Sequence, residues 1–207
     1  MKRWPLFALV LAALCMGVAA WQLGRSLEGY DHLRHPLAAL GATGAPAWRI
    51  ANALVFVIPG VLVMSVAWIL RGRLPQGTAW SIRMALQLGL LAALGYALQG
   101  LCNLDPTRLP DDGANRLHAT VWLLWWLAFA LSALLMALAR GVPSGLRLVS
   151  LVIAVLFPVV MLGLLPWPAA PVHRIGIAVW LAWWFAVTIA LNRGEASSPG
   201  LSPTTRM

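Results

Sequence analysis

Charge is scarce in this chain, and acid is scarcest of all. Only 10% of its 207 residues are charged, with six carboxylates and a single lysine, Lys2; ordinary soluble domains carry roughly 25%. A soluble fold is thereby excluded. No Asp, Glu or Lys falls in the middle of any long apolar run, so the ionisable relay of a proton pump or ion-coupled transporter has little to be built from. Inverted repeats and interrupted half-helices, the usual marks of secondary transporters, are not evident either. Cysteine is also rare. Cys15 lies mid-run and Cys102 near the end of another run, depths too different for a disulfide. The residues before Cys15 (Ala12, Ala13, Leu14) do not follow the small-residue pattern of a lipoprotein signal.

What the chain has instead is apolar length. Six runs, at residues 4–23, 50–70, 84–101, 119–139, 148–166 and 175–191, each approach the ~20 residues that cross a bilayer as a helix. They predict an all-α integral membrane bundle of six transmembrane helices over residues 1–193. A Ser-, Pro- and Thr-rich stretch at 194–207 reads as a disordered cytoplasmic tail. Lys2-Arg3, an apolar run and Val18-Ala19-Ala20 resemble a signal peptide with a cleavage site. The run continues through Trp21 to Leu23, which predicts that it is retained as a spanning helix.

The net charge of +9 invites a nucleic-acid reading, but its distribution argues against one. Lys2, Arg3, Arg71, Arg73, Arg83, Arg140, Arg147, Arg193 and Arg206 flank spans on one side, offset only by Glu195. Arg25, Arg34, Arg49, Arg108, Arg116 and Arg174 share the other side with five carboxylates. The positive-inside rule places both termini in the cytoplasm. Basicity here is a topology signal, and membrane lipids rather than nucleic acid are the expected partners. The Ala-, Leu-, Arg- and Trp-heavy usage suggests a GC-rich bacterium, hence its inner membrane.

Trp4, Trp21, Trp48, Trp68, Trp80 and Trp167 sit near span ends, as an interfacial aromatic belt requires. Trp122, Trp125 and Trp126, and again Trp180, Trp183 and Trp184, share helix faces by their spacing and are expected to pack between helices or against lipid. Pro59-Gly60 and Pro158 are expected to kink their helices. Polar residues inside the spans are few: Asn52, Ser65, Gln87, Tyr96, Gln99, Thr120, Ser132, Ser150 and Thr188. Gln87 and Gln99 are expected to bridge helices.

Nearly all remaining chemistry collects at one end. His32, His35, His118 and His173, with Glu28, Asp31, Asp105, Asp111 and Asp112, fall in the first, third and fifth connections, which alternating spans place on one face. The first loop carries Tyr30, His35-Pro36, the turn Leu40-Gly41 and then Pro46 ahead of Asn52. Gly100 stands at the end of the third run, Asp105 in the third connection and His118 at the entry to the next span. In this order they resemble the two signatures of the domain of unknown function 998 family. Ala38 stands where many relatives have Ser, and Asn103-Leu104 where they have Phe-Pro. The resemblance covers most of the chain and implies a six-helix bacterial membrane protein; it implies no activity.

Three uses of this face present themselves. Asp31, His32 and His35 form a D-H-x-x-H cluster, and His118 and His173 enter from other spans. Together they offer enough ligands for tetrahedral zinc with an open position. A metal-activated water, with Asp31 or Asp105 as general base, would then hydrolyse a lipid amide or ester. That is the general style of the alkaline ceramidase and progestin-receptor-like membrane hydrolases, but their H-x-x-x-H pair in the last span is absent here, where only His173 stands. A second use is a structural network. In it Asp105 accepts from Arg174 or Arg116, Asp31 from Arg34 or Arg49, and His118 bonds a neighbouring loop; Asp105-Pro106 and Asp111-Asp112-Gly113 are then turn chemistry. In the third, Arg116, His118 and Arg174, with Asp105 nearby, hold a lipid headgroup or small ligand by charge-assisted hydrogen bonds. The sequence favours a non-enzymatic membrane protein with such a cleft. The zinc hydrolase is the alternative, and transport ranks third.

Overall fold

A computed structural model describes residues 3–108 and 113–196. It holds six helices long and apolar enough to span a membrane. They are α1 (Trp4–Ser26), α2 (Trp48–Gly72), α3 (Trp80–Gln99), α4 (Gly113–Ala137), α5 (Ser144–Met161) and α6 (Ala169–Ala196). Asp111 and Asp112 lie outside the described residues, as do residues 197–207.

The helix ends differ from the hydropathy reading where polarity and backbone disagree. α4 begins six residues before the apolar run, so Asn115, Arg116 and His118 ride on its first turns rather than on a loop. α6 likewise begins at Ala169 and carries His173 and Arg174; at its other end it runs through Ala196, three residues into the stretch assigned to the tail. α5 stops at Met161 although the sequence stays apolar to 166, because Gly163 takes a left-handed backbone, φ 68°, and the Gly163 and Leu164 N–H groups turn back to the Val160 and Val159 carbonyls.

Between helices in lipid the hydrophobic drive is weak, and close van der Waals packing of small residues takes over. α3 is built for this, with Ala85, Gly89, Ala92, Ala93 and Gly95 all buried. At Gly95 a methyl group would fall 2.9 Å from the backbone nitrogen of Trp125, so α3 and α4 approach as only glycine allows. Beyond this seam the core is aromatic. Trp125, Trp180, Trp183 and Trp184 are fully buried with Tyr96 and Phe129, and the Trp183 indole N–H donates to Ser150 Oγ at 2.9 Å. Both deep tryptophan clusters therefore pack between helices, apart from Trp122, which lines a cavity. Trp21, Trp68, Trp80 and Trp167 are exposed near helix ends.

α2 contains a π-helical stretch, Asn52–Val57, directly before Pro59. Proline brings no N–H to the carbonyl four residues back, which here is that of Val55. The Tyr96 hydroxyl of α3 lies 3.1 Å from that oxygen and 3.0 Å from Met16 Sδ, and its proton serves the carbonyl. Replacing Tyr96 by Phe leaves a buried acceptor without a donor. The Tyr96→Phe protein is expected to lose about 1–3 kcal/mol, read as a lowered melting temperature in detergent; an unchanged melting temperature would show that Val55 needs no such donor.

Candidate functional site

The first connection turns inward. After Pro36 the segment Leu37–Gly41 forms a 3-10 turn whose Leu37 and Leu40 are buried, so the loop plugs the end of the bundle instead of lying on its surface. Asn52, at the loop end of α2, fastens it. Its Nδ2 donates both hydrogens, to the Gly41 carbonyl at 2.9 Å and to Asn103 Oδ1 at 2.8 Å. Any side chain at Gly41 would overlap the Asn52 amide. Beside this clamp the Thr43 N–H donates to the Leu104 carbonyl at 2.8 Å. The first and third connections thus form one cap.

Two cavities lie under the cap. The first, of about 240 Å³, is bounded by Leu37 and Ala38 of the loop, Phe56 of α2, Leu104, Trp122 of α4 and Ile177 of α6. Its polar groups are Gln99, His118 and His173. His118 Nδ1 lies 2.7 Å from the Cys102 carbonyl; a carbonyl only accepts, so Nδ1 holds the proton and Nε2 remains an acceptor. His173 packs its ring 4.5 Å from that of Trp122. Gln99 is 1% exposed, and its Nε2 has no hydrogen-bond partner among the described residues. Gln99 was expected to bridge helices; instead its buried amide nitrogen has no partner among the described residues, and the residue lines the cavity. Gln87, expected to do likewise, is exposed.

The second cavity, about 230 Å³, runs between α1 and α6 and includes Trp21, His32 and Arg174. Leu37 and Ile177 border both cavities. The polar face that reads as one cluster in the sequence is therefore divided, with His118 and His173 on one side and His32 and Arg174 on the other.

The expected zinc set is not assembled. Among the described residues no three His, Cys, Asp or Glu side chains come close enough to hold a metal ion. His32 lies against α1, stacked 5.7 Å from Trp21, while His35 stacks 5.6 Å from Tyr30 and accepts the Asp31 N–H at Nδ1. The two proposed bases are engaged in turns. Asp31 accepts from the Leu33 N–H at 2.7 Å and pairs with Arg34 at 3.5 Å, as one expected pairing had it. Asp105 accepts from both the N–H and the hydroxyl of Thr107, at 2.9 and 2.6 Å, and pairs with Arg108 at 3.6 Å rather than with Arg174 or Arg116. Asn115, which the sequence did not single out, brackets the Asp105 backbone through both its amide atoms. Arg116 is exposed on α4 and borders neither cavity.

Arg174 is committed to the first loop. It donates to the Tyr30 hydroxyl at 2.7 Å, the His35 carbonyl at 3.0 Å and the Ala170 carbonyl at 2.9 Å. Burial raises the Tyr30 phenol above its ordinary range, and the guanidinium beside it pulls the other way; the phenol stays neutral, bonded to Arg174 and to the Pro36 carbonyl.

Six membrane-length helices closed at one end by an inward-folded cap, over a largely apolar cavity with a few polar groups, define a multi-pass membrane protein. The chain belongs to the DUF998 family, a family of unknown function whose profile matches residues 6–190. No curated protein and no solved structure matches it significantly.

Two outcomes are expected at the cap. Asn52→Ala removes both clamp bonds, and backbone amides at 37–43 and 103–105 should exchange with deuterium about tenfold faster, the equivalent of ~1.4 kcal/mol; unchanged exchange would mean that the loops hold without it. Thr107 holds the Asp105 carboxyl below the ordinary aspartate range, which centres near ~3.9. The ionised group therefore favours the folded cap above that range, and this support is lost as pH falls through the lowered value. The Asp105 carboxyl carbon shift should titrate below the ordinary value, and Thr107→Val should move its midpoint up; an ordinary midpoint in the parent would contradict the turn geometry.

Proposed function

We propose that the cavity lined by Gln99, His118 and His173 binds the polar end of a neutral membrane amphiphile. The observation that carries this reading is the buried Gln99 amide nitrogen with no partner. A buried donor in that condition costs about 1–3 kcal/mol, and a ligand acceptor would recover it. His118 Nε2 offers the complementary acceptor for a ligand hydroxyl. Arg, Lys, Asp and Glu are absent from the residues lining this cavity, so a charged group would enter without a counterion. A volume of about 240 Å³ suits a headgroup and the start of a chain, with the remainder lying in the bilayer past Ala119, which is exposed on the rim. A glycerolipid with a free hydroxyl and ester carbonyls has this chemistry.

The cap end faces away from the cytoplasm in this reading, in a bacterial inner membrane, supported by the excess of Lys and Arg at the other end. The ligand would then come from the outer leaflet.

The test uses a photoactivatable diacylglycerol in nanodiscs holding the full-length protein. Labelling should map to residues 99–122 and 170–177. It should fall about fivefold or more in Gln99→Leu, the effect of losing roughly 1 kcal/mol of hydrogen bonding, and also in Ala38→Leu, which narrows the cavity. Labelling that survives both changes would overturn the assignment.

A further inference from the structure

Among the described residues Arg174 is a cation without an acidic partner. Of the five N–H donors of a guanidinium, three are used, all on neutral oxygens: those of Tyr30, His35 and Ala170. Among the described residues the ion pairs are Arg34 with Asp31 and Arg108 with Asp105, and neither involves Arg174. A half-buried guanidinium at membrane depth normally pairs with an acid or reaches water. Here it borders the second cavity with two donors left, beside His32, whose Nε2 is buried and unpartnered.

The rest of that cavity is apolar, formed by Met16, Gly17 and Ala20 of α1 and Ile177 and Ala178 of α6. It opens toward the lipid side of the bundle, where Trp21 is 57% and Ile175 59% exposed. A fixed guanidinium at the head of an apolar groove matches an anion that carries hydrocarbon.

We propose that the groove between α1 and α6 is a phosphate-ester site. Arg174 binds a phosphate oxygen through a remaining N–H, and an acyl chain lies along Gly17, Ala20 and Ile177. This site differs from the neutral one across Leu37 and Ile177 in ligand charge and in the helices that build it. A guanidinium N–H on a phosphate oxygen is a charge-assisted hydrogen bond. The same chemistry is offered by a bilayer phospholipid and by a soluble phosphate, and the two are separable because only the lipid needs the groove.

The groove can be closed without touching the cation. A methyl group at Gly17 would meet nothing within 4 Å, so Gly17→Leu fills the groove while keeping every Arg174 hydrogen bond. Detergent-purified full-length protein would be mixed with phosphatidylglycerol or diacylglycerol and bound lipid counted by native mass spectrometry; a thermal-shift arm would use glycerol phosphate. The Gln99→Leu protein, whose neutral cavity no longer favours diacylglycerol, should retain phosphatidylglycerol about tenfold better than diacylglycerol, a ratio equivalent to ~1.4 kcal/mol. Arg174→Gln should abolish that preference, Arg174→Lys should restore part of it, and Gly17→Leu should block the lipid. A stabilising shift by glycerol phosphate that survives Gly17→Leu but not Arg174→Gln would establish the anion site with a soluble source. Equal retention of the two lipids by the Gln99→Leu protein, with no shift by glycerol phosphate, would overturn the site. Should Arg174→Gln fail to fold, phosphatidylglycerol retention unchanged by Gly17→Leu would overturn the groove by itself.

Discussion

Inside a bilayer a backbone carbonyl without a donor costs several kcal/mol, and the carboxamide of Asn52 meets that need where the cap is made. Both its hydrogens are used, one on the Gly41 carbonyl and one on Asn103. The first bond draws the Leu37–Gly41 turn into the bundle. The second brings Asn103 with it, and with Asn103 the neighbouring Leu104, already bonded to Thr43. Leu37, Ala38 and Leu104 then become cavity wall instead of surface loop. Gly41 and Asn52 are a matched pair, since a side chain at the first would displace the second.

Polar groups at the cap fall into two populations once this clamp is closed. Most are satisfied within the protein: Asp105 by Thr107, Asn115 by the Asp105 backbone, His118 Nδ1 by Cys102, Tyr30 by Arg174. A smaller set is not. Among the described residues Gln99 has no partner for its amide nitrogen, His32 none for Nε2, and Arg174 no countercharge. The three residues that carry these groups line the cavities. Leu37 and Ile177 keep a neutral compartment apart from a cationic one.

The six-helix plan was legible because membrane insertion depends on apolar length, which hydropathy measures directly. The ends of α4 and α6 were not, since their first turns carry Asn115, Arg116, His173 and Arg174 and helix propensity continues where hydropathy stops. Local chemistry at the cap could be read in part: the Asp31–Arg34 pair and the His118 bond to a neighbouring loop were both among the expected arrangements. For Asp105 the sequence offers both distant arginines and turn chemistry, and the turn is what forms, because Thr107, two residues away, costs far less chain entropy to engage. The sharing of one end by His32, His35, His118 and His173 suggested one site. Nothing in their spacing shows that Leu37 would be drawn between them, because that depends on a contact between Asn52 and Asn103, 51 residues apart. Gln99 and Gln87 are alike in sequence and opposite in fate, one buried and one exposed; only packing distinguishes them.

An experimental structure from crystals grown in a lipid mesophase tests the central claim most directly. The expected result is density for a bound amphiphile between Phe56, Trp122 and Ile177, with an acceptor atom about 3 Å from Gln99 Nε2 and the Asn52 clamp closed above it. A Gln99 amide turned to a protein acceptor, with the cavity collapsed around it, would contradict the assignment.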